Sequence, residues 1–244
     1  MQKAAIVLAA GAGTRMRSDK PKVAHEVLGV PLVRWVVNAA HDAGIERIVT
    51  VVGHKREEVE PLVARDTEIA FQAQRRGTAD AVLSCQDALA DFEGSVVVLS
   101  GDCPLITADT IRALIEAREQ DDAAVVVLTM KLEDPFGYGR IIRDEAGDVL
   151  RIVEQKDATA EEAAVNECNS GFYCFDARAL FDALAQVGSD NAQGEFYLTD
   201  VLEIARTAGR RVRALETSDP RECLGVNTPE QLRAVEQIKA AALQ

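Results

Sequence analysis

Leu8-Ala9-Ala10-Gly11-Ala12-Gly13-Thr14-Arg15-Met16, with Lys20-Pro21-Lys22 close behind it, is the stretch on which the fold turns. The apolar run Ala4 to Ala9 leads into it and reads as a buried strand. Two glycines then let the backbone turn sharply and approach a ligand, since no Cβ stands in the way. Four cations follow: Arg15, Arg17, Lys20 and Lys22. Strand, glycine turn and converging cations make a phosphate cradle, with amide N–H groups to hold oxygens and fixed charge to neutralise them. The same pattern also describes a surface strand-to-loop turn with solvated cations. Two standard phosphate loops are excluded. The dinucleotide fingerprint needs a third glycine where this chain has Met16. The P-loop needs a terminal Gly-Lys-Ser/Thr, which this stretch lacks.

The charge balance isolates the same stretch. The 244-residue chain has a net charge of −13, which argues against general nucleic-acid binding. Residues 1–25 nevertheless hold five Lys/Arg and one acid, a net of +4 that leaves −17 on the remainder. A basic island in an acidic chain points to a local anionic ligand. Hydrophobic content of 48% is ample for a buried core, and the length suits one large domain or one domain with a small elaboration. The five cysteines are odd in number and scattered, without Cys-x-x-Cys, so reduced thiols and a cytoplasmic address are expected, and no structural zinc. The apolar run before the loop is too short for a signal peptide or a membrane span, so no membrane partner is expected.

Outward from the loop, strands and helices alternate. Leu32 to Ala43 has helical spacing and ends at Gly44; Arg47 to Val52 is a strand; Glu57 to Ala64 is a helix with Pro61 in its first turn or as a weak point; Glu68 to Ala73 is a strand. Such alternation means βαβ units and a mainly parallel sheet covered on both faces. Gln72 falls at a strand end and Gly77-Thr78 opens a helix to about Leu89, a junction where open α/β sheets bind ligands. Gln72 can pair with the polar edge of a base, Gly77 allows close approach, and Thr78 can meet a ligand or cap its helix. Ser95 to Ser100 is the most strand-like run and ends in Gly101-Asp102-Cys103-Pro104-Leu105. Asp102 suits Mg2+ held jointly with phosphate oxygens, or simply caps that turn.

Thr107 to Gln120 is a helix and Ala123 to Leu132 a strand. Gly137 to Arg143 and Val149 to Glu154 then flank Asp144-Glu145-Ala146-Gly147-Asp148 as a β-hairpin. Glu154, and Asn169 ahead of the strand Phe172 to Phe175, are the kind of polar groups that read sugar hydroxyls. Helices over Ala177 to Gln186 and up to about Thr207, and a strand from Arg211 to Glu216, complete this half. Asn227 precedes a last helix in which Thr228 is the N-cap, Pro229 sits at N1 and Gln231 at N3. It is a turn residue or an oxygen ligand.

Taken together, the motifs resemble the uridylyltransferase (pyrophosphorylase) domain of bacterial bifunctional N-acetylglucosamine-1-phosphate uridylyltransferases, within the sugar nucleotidyltransferase superfamily. The resemblance runs over essentially the whole chain. It rests on the opening stretch, Pro21-Lys22, Gln72, Gly77-Thr78, Gly101-Asp102-x-Pro104-Leu105, Gly137-Tyr138-Gly139-Arg140-Ile141, Val153-Glu154-x-Lys156-Asp157, Asn169-x-Gly171, Asn191-Ala192-Gln193-Gly194-Glu195 and Gly225-Val226-Asn227. It implies a Rossmann-like nucleotide-diphospho-sugar transferase fold: a mixed, mainly parallel sheet flanked by helices, with a small β-hairpin sugar-binding elaboration. It implies a nucleotidyltransferase domain over 1–228, with a nucleotide half to about 110 and a sugar half beyond it, then a helix over 229–244. It implies transfer of UMP from UTP to N-acetylglucosamine 1-phosphate for cell-wall precursor synthesis. Leu8, Ala9, Ala10, Gly11, Gly13, Thr14, Gln72, Gly77 and Thr78 would hold the nucleotide. Arg15 and Lys22 would be catalytic, Gly139, Glu154 and Asn169 would bind the sugar, and Asp102 and Asn227 would coordinate Mg2+. The chain departs from the pattern at Ser100, where Tyr is frequent, at Arg75, where a second glutamine is frequent, and at Asp80, where His is frequent. The left-handed β-helix acetyltransferase domain is expected to be absent, and with it the trimer, leaving a monomer or weak oligomer. Another sugar 1-phosphate such as glucose 1-phosphate, and a non-catalytic nucleotide-sugar module, are the alternatives.

Overall fold

The computed structural model describes residues 1–242. Leu243 and Gln244, the last two residues of the helix expected over 229–244, lie outside the described residues. The chain runs β1 (Gln2–Leu8), β2 (Glu26–Val27), β3 (Val30–Pro31), α1 (Leu32–Asp42), β4 (Arg47–Val52), α2 (Arg56–Val63), β5 (Glu68–Phe71), α3 (Thr78–Leu83), β6 (Gly94–Ser100) and α4 (Ala108–Asp121). It continues through β7 (Val125–Lys131), β8 (Arg140–Arg143), β9 (Val149–Val153), α5 (Ala160–Ala163), β10 (Glu167–Asp176), α6 (Ala177–Leu184), α7 (Asp200–Thr207), β11 (Val212–Glu216) and α8 (Pro229–Ala242). The main sheet has the order β11-β7-β10-β6-β1-β4-β5, with the β8–β9 hairpin attached to β10. Strand β1 pairs in parallel with both β4 and β6, and β10 runs antiparallel between β6 and β7. The sheet is thus mixed and mostly parallel.

Each central strand is apolar on both faces because both are covered. In β1, Ala4 and Ile6 enter one core with residues of α3, α6, α7 and the hairpin, while Ala5 and Val7 enter the other with α1, α2 and α4. A third cluster joins Met16, Val27, Leu32, Leu105, Val226 and Val235. It fastens the segment after β1 to the last helix, some 200 residues away in sequence. Met16, the residue that breaks the dinucleotide fingerprint, is the plug of that joint, only 3% exposed.

Local reading and structure part company in a few places. Helix α2 starts at Arg56, so Pro61 lies in its interior and not in its first turn. The helix from Thr78 ends at Leu83, and Asp87–Leu89 is a separate 3-10 turn. Strand β10 begins at Glu167, five residues before Phe172. Its register slips between Asn169 and Tyr173, so a bulge hides its first half from any alternation rule.

Candidate active site

The carboxyl ends of β1, β4, β5 and β6 lie at one edge of the sheet, and β4 and β6 leave β1 in opposite directions. That is the switch point where open α/β sheets hold ligands. A cleft of about 580 Å³ opens there, lined by Leu8, Ala10, Gly11, Ala12, Lys22, Val23, Gln72, Arg75, Gly77, Thr78, Ala81, Ser100, Asp102 and Glu195. A Cβ on Gly11 would meet no protein atom within 4 Å, so the space beside it is left to whatever enters the cleft. Gly13 is required by the fold itself. Its φ of +61° is left-handed, and a Cβ would come within 2.5 Å of the Lys22 Cβ. The glycine therefore lets Lys22 lie against the turn. Ala9 is buried and its N–H donates to the Val51 carbonyl at 2.8 Å, so its side chain and amide serve the sheet edge. Thr14 begins a 3-10 turn in which Thr14 and Arg15 are exposed and Met16 is buried.

Four residues that sequence reading named separately meet at one point. Lys22 Nζ pairs with Asp102 Oδ2 and donates to Asn227 Oδ1 at 3.1 Å. Arg15 Nη2 donates to the same Asn227 oxygen at 2.9 Å. Each partner has a local reason for its place. Asp102 follows β6, and its carbonyl accepts from Val226 N–H at 2.9 Å. Asn227 is tethered by its own N–H, which donates to Gln231 Oε1 at 2.8 Å, while Gln231 N–H donates to the Thr228 hydroxyl at 3.3 Å. The expected capping box therefore reaches one residue further back and holds Asn227 as well as starting α8.

On the opposite wall, Gln72 is 6% exposed and its N–H continues the sheet by donating to the Val52 carbonyl at 2.9 Å. Gly77 has a φ of +123°, and a Cβ there would strike the Phe196 carbonyl oxygen at 2.3 Å. Its bare face is thus turned to the Phe196 backbone. The Thr78 hydroxyl does not cap α3; it accepts from Leu198 N–H at 3.0 Å and keeps its own proton to donate.

Gly139, Glu154 and Asn169 form a second group. A Cβ on Gly139 would lie 3.4 Å from Glu154 Oε1 and 3.5 Å from the Asn169 Cβ, and Asn169 N–H donates to the Gly139 carbonyl at 2.9 Å. The Asn169 amide is oriented by Tyr173 Oη at 2.7 Å and Gly171 N–H at 3.0 Å, both within the bulge. Arg140, at the root of the hairpin, is 1% exposed and donates to Tyr138 and Ala163 carbonyls and to Gln155 Oε1. Its place in the Gly-Tyr-Gly-Arg motif is thereby structural. Burial raises the Glu154 pKa, with Asp157 and Asp200 adding to the effect and the Thr199 hydroxyl at 3.4 Å opposing it. Burial also pushes Asp200 up to about 6, helped by Glu203 and Asp157. The segment Glu195 to Thr199 connects the two groups: Glu195 lines the cleft, Leu198 bonds Thr78, and Thr199 bonds Glu154.

Comparison with known proteins gives this arrangement a family. The MobA-like NTP transferase domain matches residues 5–207. The chain belongs to that family. It is 54% identical over 227 residues to "Bifunctional protein GlmU" of Lactobacillus gasseri, covering 93% of this chain and 49% of the relative. It is 50% identical over 231 residues to the protein of that name from Geobacter metallireducens, and 51% identical over 236 residues to that from Corynebacterium glutamicum, at 94% of this chain each and 48% and 49% of those proteins. The chain spans about half the length of the curated relatives it matches.

As a member of this family, the chain places the glycine turn after β1 and the Gln72 to Thr78 segment on one cleft at the sheet edge. Sequence reading missed some lining groups. Glu195 was visible only as part of the Asn-Ala-Gln-Gly-Glu motif and Ser100 only as a departure from a pattern, while Thr199, which bonds Glu154 away from the cleft lining, carried no signal. No helix among the described residues is long and apolar enough to cross a membrane. All five cysteines are free and buried.

Proposed function

We propose that this chain transfers UMP from UTP to N-acetylglucosamine 1-phosphate, releasing pyrophosphate and forming UDP-N-acetylglucosamine. The observation that carries the reading is the convergence of Arg15, Lys22, Asp102 and Asn227 at the mouth of a cleft walled by Gln72 and Thr78. The name of the relatives and the motif resemblance support the choice of substrates.

The attacking group in such a transfer is an already ionised phosphate oxygen, so no general base is called for. The difficulty is electrostatic, since two anions must come within bonding distance, and positioning with charge neutralisation meets it. Arg15 and Lys22 supply that charge, and Arg75 adds a cation on the cleft wall. Asp102 and Asn227 would hold Mg2+ once Lys22 and Arg15, which bond their side-chain oxygens in this structure, turn to the substrate phosphates. They offer one carboxylate and one amide oxygen, a hard donor pair of the size Mg2+ accepts when substrate phosphates and water supply the rest. Among the described residues no cluster of three His, Cys, Asp or Glu side chains offers a fuller cage. When bound, Mg2+ neutralises charge shared by the two substrates' phosphates. The acidic end around Glu154, Asp157 and Asp200 repels a phosphate and suits sugar hydroxyls and an amide N–H, so it orients the sugar 1-phosphate with its phosphate toward Lys22.

Pyrophosphate release, measured with Mg2+ across a panel of nucleoside triphosphates and sugar 1-phosphates, tests this. UTP with N-acetylglucosamine 1-phosphate is the expected pair, and Lys22→Ala should cut its turnover at least about a hundredfold. Success of another pair alone would overturn the substrate assignment.

A further inference from the structure

Gln72 is held by an arrangement that the phosphate chemistry does not explain. Its carboxamide nitrogen donates twice, to the Gly77 carbonyl at 3.0 Å and to Asp80 Oδ2 at 2.9 Å. Both N–H groups are therefore spent, and the remaining polar edge is the oxygen, an acceptor. Among the described residues no protein donor reaches that oxygen, and Gln72 lines the cleft. Asp80 is fixed in turn. Arg76 Nε and Nη2 both donate to its other oxygen, at 3.0 and 2.5 Å, and the Asp80 side chain is 11% exposed. Arg76 is braced by Phe196: its guanidinium lies 5.5 Å from the ring centroid, and its carbonyl accepts from Phe196 N–H at 2.7 Å. The line Phe196, Arg76, Asp80, Gln72 ends on one amide orientation.

A free carboxamide can turn over and offer either edge. One whose nitrogen is bonded to a carboxylate cannot do so without burying two acceptors against each other. We propose that Asp80, clamped by Arg76, is a positioning residue that fixes the Gln72 oxygen toward the cleft and so selects the base. The acceptor edge favours a pyrimidine presenting a ring N–H, as uracil does, over one presenting a bare ring nitrogen, as cytosine does. The proposal rests on the nucleotidyltransferase reading of the cleft and adds the device that sets its base preference.

Calorimetric titration of the full chain with UTP and with CTP tests it, alongside steady-state kinetics. Asp80→Ala should weaken UTP binding about tenfold, the effect of losing one well-oriented hydrogen bond, while CTP binding holds or improves. Where turnover is measured, the change should fall on KM for UTP and leave kcat within about threefold. Asp80→Asn keeps an oxygen for the Gln72 N–H and should recover most of the UTP affinity, which also covers any failure of the alanine variant to fold. Equal losses for UTP and CTP in Asp80→Ala would mark a merely structural role and overturn the proposal. So would wild-type protein that binds CTP as tightly as UTP. Wild-type protein that prefers UTP but releases no pyrophosphate contradicts the catalytic reading alone, since calorimetry reads binding without turnover.

Discussion

Asp200 illustrates what a single carboxyl contributes beside the group formed by Glu154 and Asp157. Burial, with Glu203 and Asp157 nearby, raises its pKa from 3.8 to about 6. The folded state thus favours the protonated form more than the unfolded chain does. Stability from this group is present below about pH 4 and declines as pH rises toward 6, so at neutral pH the ionised carboxylate is a cost. Asp200→Asn removes the charge at nearly constant shape. It should stabilise the protein at pH 7.5 by about 1 kcal/mol, once water's access to the half-buried group is allowed for. That corresponds to ~2–4 °C in Tm. At pH 4 the two proteins should melt together. Thermal melts at both pH values check this, and a gain that is equal at both would show that charge is not the cause. The same neighbourhood sets the legibility of single residues. Glu154 and Asn169 stand out in the sequence as polar types that would suit sugar hydroxyls, and the structure brings both beside Gly139. The raised pKa values of Glu154 and Asp200 come first from burial and then from neighbouring carboxylates, and spacing along the chain carries neither.

Among elements, the start of α8 joins local chemistry to the site. Thr228, Pro229 and Gln231 announce a helix start in the sequence, and the structure has it at Pro229. What the sequence conceals is that the Gln231 side chain reaches past the cap to the N–H of Asn227, whose oxygen meets Arg15 and Lys22. Two variants separate cap from tether. Thr228→Ala removes the hydroxyl that accepts from Gln231 N–H and should cost ~1 kcal/mol, with turnover within about threefold of normal. Gln231→Ala should cost a similar amount of stability yet lower turnover about tenfold, because Asn227 loses its anchor. Equal turnover in the two variants would dismiss the tether. The strands divide in the same way. Unbroken apolar runs such as Val96 to Leu99 are plain in the sequence, because a strand covered on both faces needs nothing else. The first half of β10 is not, since its bulge at Asn169 to Tyr173 breaks alternation in order to aim Asn169.

For the molecule as a whole, the βαβ alternation made the layered α/β architecture readable, but the position of antiparallel β10 between β6 and β7 was not. Periodicity records burial and not strand direction or order. The third apolar cluster was equally hidden, as its members come from both ends of the chain. That cluster gives the molecule a testable division of labour. Val235 on α8 is 1% exposed and packs in the cluster with Met16, next to Arg15. Leu114 on α4 is equally buried but belongs to the core beneath the sheet. Val235→Ala should cost ~1–3 kcal/mol and Leu114→Ala ~2–5 kcal/mol. Stability alone would then predict the greater loss of activity in Leu114→Ala. If the cluster sets the distance between Arg15 and Asn227, the order reverses. Assayed at 25 °C, well below either midpoint, Leu114→Ala should keep its kcat, while Val235→Ala should lose about fivefold or more as the loop and α8 drift apart. Calorimetric melts paired with turnover measurements on both variants decide it. A Val235→Ala protein of lowered Tm and unchanged kcat would reduce the cluster to ordinary packing.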